Sequence, residues 1–128
     1  MNSGLTHGGD LTRRIIGLAM RVHTRLGPGL LESVYHRCLC HELSQAEIPF
    51  GQHVALPIRY DEIDLESGYL ADIIVNNEVI LELKSVERFS PLHEAQLLTY
   101  MRLSQCRIGL LINFNTVSLT DGIRRRVL

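Results

Sequence analysis

Residues 69–85, YLADIIVNNEVILELKS, constrain what this chain can fold into more than any other stretch. Two runs rich in Ile, Leu and Val flank Asn76-Asn77, the composition of a buried β-hairpin. Asp72, Glu82 and Lys84 nonetheless stand inside those runs, where an ionised group is costly. Strand side chains alternate between faces, so the pairing register decides what these three residues meet. A two-residue turn at Asn76-Asn77 sets Val75 opposite Glu78 and Asp72 opposite Leu81, which mixes charge with apolar groups on both faces. A loop of three or five residues pairs Ile74 with Ile80, Asp72 with Glu82 and Leu70 with Lys84. The other face then carries Ala71, Ile73 and Val75 against Val79, Leu81 and Leu83, apolar throughout. Hydrophobic segregation favours the odd loop.

That register sets two carboxylates against each other in apolar surroundings, where both are hard to ionise. Compensation can come from a shared proton, a neighbouring cation or a bound metal. Lys84 projects from the same face as Glu82 and can neutralise one charge. A hard divalent cation, held by carboxylate oxygens, water and a carbonyl, is the third option. The plainer alternative is a structural ion pair at a wet strand end, and composition alone does not separate the two.

The rest of the chain sets bounds. Its 128 residues suit one domain, and 45% hydrophobic with 21% charged residues suits a globular protein. A formal net charge of −1 neither demands nor forbids nucleic acid. The basic residues gather towards the ends, at Arg13, Arg14, Arg21 and Arg25 and then at Arg124, Arg125 and Arg126. The last three read first as a solvated face. No apolar run approaches the roughly 20 residues of a membrane span, and the first residues lack a secretory pattern. Three cysteines without framework spacing fit a reducing compartment, so a cytoplasmic location is expected.

Along the chain, residues 1–9 are expected to be loose. A helix capped by Asp10 is predicted to about Leu26, with Leu11, Ile15, Leu18, Val22 and Leu26 as its stripe. Gly27-Pro28-Gly29 ends it, and a second helix is predicted over Leu30 to Gln45. The period then changes to that of strands: 53–60, irregular at Pro57, and the hairpin above. Ser90-Pro91 opens a third helix to about Ser104, as cap and first helical residue. Residues 107–114 form a nearly unbroken apolar strand, as when both faces are covered. Residues 117–128 add a short strand at most. The order α-α-β-β-β-α-β, with that further C-terminal strand, predicts an α/β fold: a central mixed sheet flanked by helices.

Asp72, with Glu82-Leu83-Lys84 beginning ten positions on, resembles the layout of the PD-(D/E)xK nuclease superfamily. The surroundings sharpen the likeness: Gly29-x-x-Glu32-x-x-Tyr35 early, and Gln96-x-x-x-Tyr100 after the hairpin. Together with the apolar strand at 107–114, they resemble the GxxExxY family of that superfamily, over roughly residues 11–128. The resemblance implies a restriction-endonuclease-like core and a single nuclease-like domain over residues 10–128. It implies Asp72 and Glu82 as ligands of Mg²⁺ or Mn²⁺, with the backbone carbonyl of Leu83 as a further one and Glu32 acting directly or through water. Lys84 would orient water or stabilise charge on the phosphate oxygens. Gln96 and Tyr100 resemble the Gln-x-x-x-Tyr element of RecB-type exonucleases, which helps place the metal site or a DNA end. Leu70 stands where a basic residue often precedes the Ala-Asp pair.

Several residues carry plainer readings beside these. Glu32, as third residue of a helix capped by Gly29, would serve the cap and the helix dipole. Tyr35 packs or joins the site; His23, just before the break, faces the same cleft or only packs. His93, Gln96 and Tyr100 share one helix face at i, i+3 and i+7. Cys38, Cys40 and His41 suggest zinc, but helix residues two apart diverge and no second ligand pair follows, so buried thiols are expected. The sequence therefore points to a metal-dependent nuclease acting on nucleic acid, DNA ahead of RNA, with no membrane role. The rival is a non-catalytic binding module of the same fold, as a homodimer or with a protein partner.

Overall fold

A computed structural model describes residues 9–66 and 68–128, so the predicted loose N-terminus lies outside the described residues except for Gly9. Helix α1 (Gly9–Leu26) and helix α2 (Glu32–Gln45) come first. Asp10 lies inside the first turn of α1 and does not cap it from outside. Strands β1 (Phe50–Ala55), β2 (Ile58–Tyr60), β3 (Ile63–Leu65), β4 (Leu70–Val75) and β5 (Val79–Lys84) follow. Helix α3 (Pro91–Ser104), strand β6 (Ile108–Asn113), a 3₁₀ turn (Leu119–Gly122) and strand β7 (Ile123–Val127) complete the chain. The single strand predicted at 53–60 is two: β1 ends before Pro57, and β2 pairs with β3 in a separate hairpin. Pro57 lacks the N–H that would carry β1 onward.

The main sheet has the order β1-β4-β5-β6-β7. Its one parallel pair is β5 with β6, the two strands on either side of the α3 crossover. The β4–β5 loop is the odd one, residues 76–78: Val75 pairs with Val79, Ile74 with Ile80, Ile73 with Leu81. Asn76 and Asn77 both take positive φ, at 52° and 55°, which Asn tolerates better than other side-chain-bearing residues. Against one face pack α1 and α2, on a core of Ile73, Val75, Leu81, Leu83, Leu110 and Ile112 with Ile15, Tyr35 and Leu39. Against the other packs α3, through Leu97, Tyr100 and Met101 on Ile74, Ile80 and Leu111. The hairpin strands are therefore covered on both faces; Asp72 and Lys84 are half-buried at one end, and the Asn76-Asn77 turn is exposed at the other. Ala71 breaks the expected alternation and packs with the α3-side core. Opposite Asp72, His53 of β1 has φ 51° and is absent from the otherwise continuous pairing, so the two strands are irregular there.

Helix α2 begins at Glu32, two residues later than predicted. Leu31 precedes it in extended conformation (φ −69°, ψ 147°) and offers no side-chain cap. The 27–31 loop is held from inside by Tyr35, fully buried and stacked on Phe114 at 4.5 Å. Its hydroxyl donates to the Gly27 carbonyl (2.6 Å) and accepts from the Leu30 N–H (3.1 Å). Ser85 adds an outside tie, its hydroxyl donating to the Leu30 carbonyl at 2.6 Å. Gly29, at φ 97°, makes the turn that other residues resist. Removing the Tyr35 hydroxyl leaves the part-buried Gly27 carbonyl and the Leu30 N–H without this partner. Tyr35→Phe should therefore lose about 1–3 kcal/mol in urea unfolding; unchanged stability would contradict this view of the loop.

Candidate active site

The site lies where β4 begins and β5 ends, and two hydrogen bonds define it. The Asp72 N–H donates to Glu82 Oε2 (2.9 Å), and the Leu83 N–H donates to Asp72 Oδ2 (2.7 Å). Each carboxylate thus reaches across to the other strand's backbone. Oδ1 of Asp72 and Oε1 of Glu82 accept no hydrogen bond from protein among the described residues.

Glu82 is only 4% exposed, and its carboxyl is pushed up to about 8. Burial is the main cause and the Asp72 charge adds to it; the Asp72 N–H and Lys84 work against the rise, while Glu32 strengthens it. Lys84 acts at a distance, since no ion pair joins it to either carboxylate among the described residues. Glu32 is also raised, by burial and then by Asp72, with Lys84 and His36 opposing. As first residue of α2, behind an uncapped Leu31, Glu32 does not play the capping part its helix-start position suggested.

A cavity of about 400 Å³ opens beside Asp72, lined by Glu32, Ser33, His36, His53 and Leu83 together with Leu31. Glu82, Lys84, Gln96 and Tyr100 are not in its wall. Tyr100 approaches from α3, with its hydroxyl shifted upward by burial and then by the negative charge of Glu82. Gln96 Nε2 donates to the Tyr100 hydroxyl at 3.4 Å, a weak link that brings Gln96 to the edge of the set. Asp72 is the common member: it borders the cavity, faces Glu82, and shifts Glu32, Glu82 and Tyr100 alike.

Two histidines here escaped the sequence reading. His36 is buried, donates from Nε2 to the Asp72 carbonyl (3.1 Å) and stacks on His53 at 4.6 Å. Its signal was available: Glu32, His36 and Cys40 recur at i, i+4 and i+8 on one face of α2. His53 had none, because its place depends on the irregularity of β1. His23 and His93 serve structure instead. His23 Nε2 donates to the Thr116 carbonyl at 2.7 Å. His93 closes the α3 capping box, its Nδ1 accepting the Ser90 N–H at 3.1 Å. Cys40 and Cys106 are buried and Cys38 is half-buried; burial lifts the Cys40 thiol to about 11, which makes it unreactive.

Among the described residues, no three His, Cys, Asp or Glu side chains gather closely enough to hold a metal by themselves. The donor chemistry still fits a hard cation: two carboxylates whose charges repel, each with one oxygen lacking a protein donor among the described residues, beside a cavity that Glu32 also borders. A cation here would complete its shell with backbone carbonyl and water.

A family model for the PD-(D/E)XK nuclease superfamily matches residues 9–126. No curated protein and no solved structure gives a significant match.

Because Glu82 titrates above its ordinary value of 4.5, its sign of action on stability follows directly. Below pH 4.5 both folded and unfolded chains hold the proton, and the contribution is fully present. As pH rises towards 8 the unfolded chain ionises first and is favoured. In chelator, unfolding free energy should therefore fall by a few kcal/mol, to order of magnitude, between about pH 5 and pH 8. Glu82→Gln should flatten that fall. A stability that rises over this window, or an unchanged slope in Glu82→Gln, would contradict the burial of an unsatisfied charge.

Proposed function

Since the chain belongs to the PD-(D/E)XK nuclease superfamily, we propose that it is a metal-dependent nuclease of the GxxExxY branch, hydrolysing phosphodiesters of DNA in preference to RNA. Residues 10–128 act as its one nuclease domain, in the cytoplasm; among the described residues no helix is long and apolar enough to cross a membrane. The observation that carries this reading is the exchange of hydrogen bonds that holds Asp72 and Glu82 together while leaving their charge uncompensated.

Asp72, Glu82 and the Leu83 carbonyl would hold Mg²⁺ or Mn²⁺, with Glu32 acting through water. When bound, such a cation supplies Lewis-acid polarisation of phosphate and water. The chain's own residues do the rest. Lys84, on the exposed side of Glu82, stabilises charge growing on the phosphate oxygens. His36 fixes the backbone of Asp72, and thereby the direction of its carboxylate. Tyr100 and Gln96, on the α3 side of Glu82 and outside the cavity wall, position the strand or its end. Glu32 borders the cavity from the start of α2, directly after the loop that Tyr35 keeps in place.

A second reading, a non-catalytic binding module acting as a homodimer or with a protein partner, draws on the β2–β3 hairpin. Tyr60, Ile63 and Leu65 are exposed there, an apolar surface outside the main sheet. Purified protein with Mg²⁺ or Mn²⁺, incubated with labelled single- and double-stranded DNA and RNA, separates the two readings. Cleavage should fall by about 100-fold or more in Asp72→Ala and in Lys84→Ala. Cleavage that persists in both variants points to a contaminant, and none on any substrate favours the binding module.

A further inference from the structure

The three consecutive arginines of β7 share a charge but not a situation. Arg126 is neutralised by Glu94 of α3, its Nη2 donating to Glu94 Oε1. Arg125 pairs with Leu110, which belongs to the core under α1 and α2, so it is directed to that side of the sheet. Arg124 pairs with Leu111, of the α3-side core, and Leu111 in turn pairs with Glu82. Paired residues on neighbouring strands share a face, so Arg124 stands on the same sheet row and face as Glu82. Two strand spacings separate them, roughly 10 Å.

Arg124 is exposed, and its guanidinium lies over the Phe89 ring at 5.3 Å from the centroid. Its Nη1 donates only to the backbone carbonyls of Asp121 and Ile123, at 3.2 Å each. No carboxylate pairs with it among the described residues. Phe89 is itself set against His93, the ring that closes the α3 capping box, so the platform under the guanidinium is fixed. A cation held in place on an aromatic face, without a counter-ion, keeps its planar donors available for a phosphate.

We propose that Arg124, seated on Phe89, is a phosphate contact for the nucleic acid entering the Asp72/Glu82 site. The assignment rests on the nuclease reading above. A separation of roughly 10 Å between the two rows exceeds the spacing of a single phosphate, so Arg124 meets a neighbouring phosphate of the strand and not the one at the carboxylates. Lys84 then lies at the reacting end and Arg124 at the approach, which distributes positive charge over a protein whose net charge is −1.

The test is binding of a fluorescein-labelled oligodeoxynucleotide, single-stranded and as duplex, with Ca²⁺ replacing Mg²⁺, over a series of salt concentrations. Arg124→Ala should weaken binding about three- to tenfold, whatever the oligonucleotide sequence, and make the plot of log K against log salt shallower by about one. Arg124→Lys should keep the slope with intermediate affinity, and Phe89→Leu should weaken binding without changing the slope. Arg125→Ala, the same charge on the other face, should bind like the unaltered protein. Affinity and slope unchanged in Arg124→Ala, or an equal loss in Arg125→Ala, would overturn the assignment while leaving the nuclease reading intact. If the unaltered protein binds no oligonucleotide even at low salt, both fall together.

Discussion

Two carboxylates, Glu82 buried and Asp72 half-buried, that each accept a backbone N–H across a strand pair set the terms for everything around them. Asp72 and Glu82 each use one oxygen on the other strand's neighbouring N–H, so neither can rotate away from its rival charge without orphaning a backbone donor. The cost appears in Glu82, which holds its proton far above the ordinary range. Neighbouring elements respond to that cost in part. Lys84 opposes it from the strand end, and His36 stiffens the Asp72 backbone from α2. Yet no ion pair cancels it among the described residues. A stability-driven hairpin would have placed leucines there, since buried polar pairs rarely outdo apolar packing.

The motif Gly29-x-x-Glu32-x-x-Tyr35 acquires a physical division of labour in this frame. Gly29 supplies a left-handed turn, Tyr35 clamps the 27–31 loop through two hydrogen bonds, and Glu32 starts α2 at the cavity rim. Two of the three residues are structural, and their task is to deliver the third. The same economy holds on α3, where Ser90, Pro91 and His93 build the start of the helix that brings Tyr100, with Gln96 bonded to it, near Glu82.

Much of this was legible in the sequence where one local rule sufficed. The odd hairpin loop followed from segregating apolar residues, and the doubly covered strand at 107–114 from its unbroken composition. Helix α3 was readable from its Ser-Pro start. What escaped depended on long-range geometry. The start of α2 moved to Glu32 because Tyr35 and Ser85, distant in different ways, hold the preceding loop extended. The 53–60 strand divided because Pro57 sends the chain into a second small sheet. His36 and His53 meet only once β1 deforms opposite Asp72. The basic run at 124–126 looked uniform as sequence, and sheet register gave each arginine a different setting.

The central claim is that Asp72 and Glu82 together form a place for a hard cation. Anomalous scattering from crystals soaked in Mn²⁺ tests it most directly. The account predicts a single strong peak beside the Asp72 and Glu82 carboxylates, lost in Asp72→Ala crystals. A well-ordered site with both carboxylates in place and no peak there, or manganese bound only elsewhere, would contradict it.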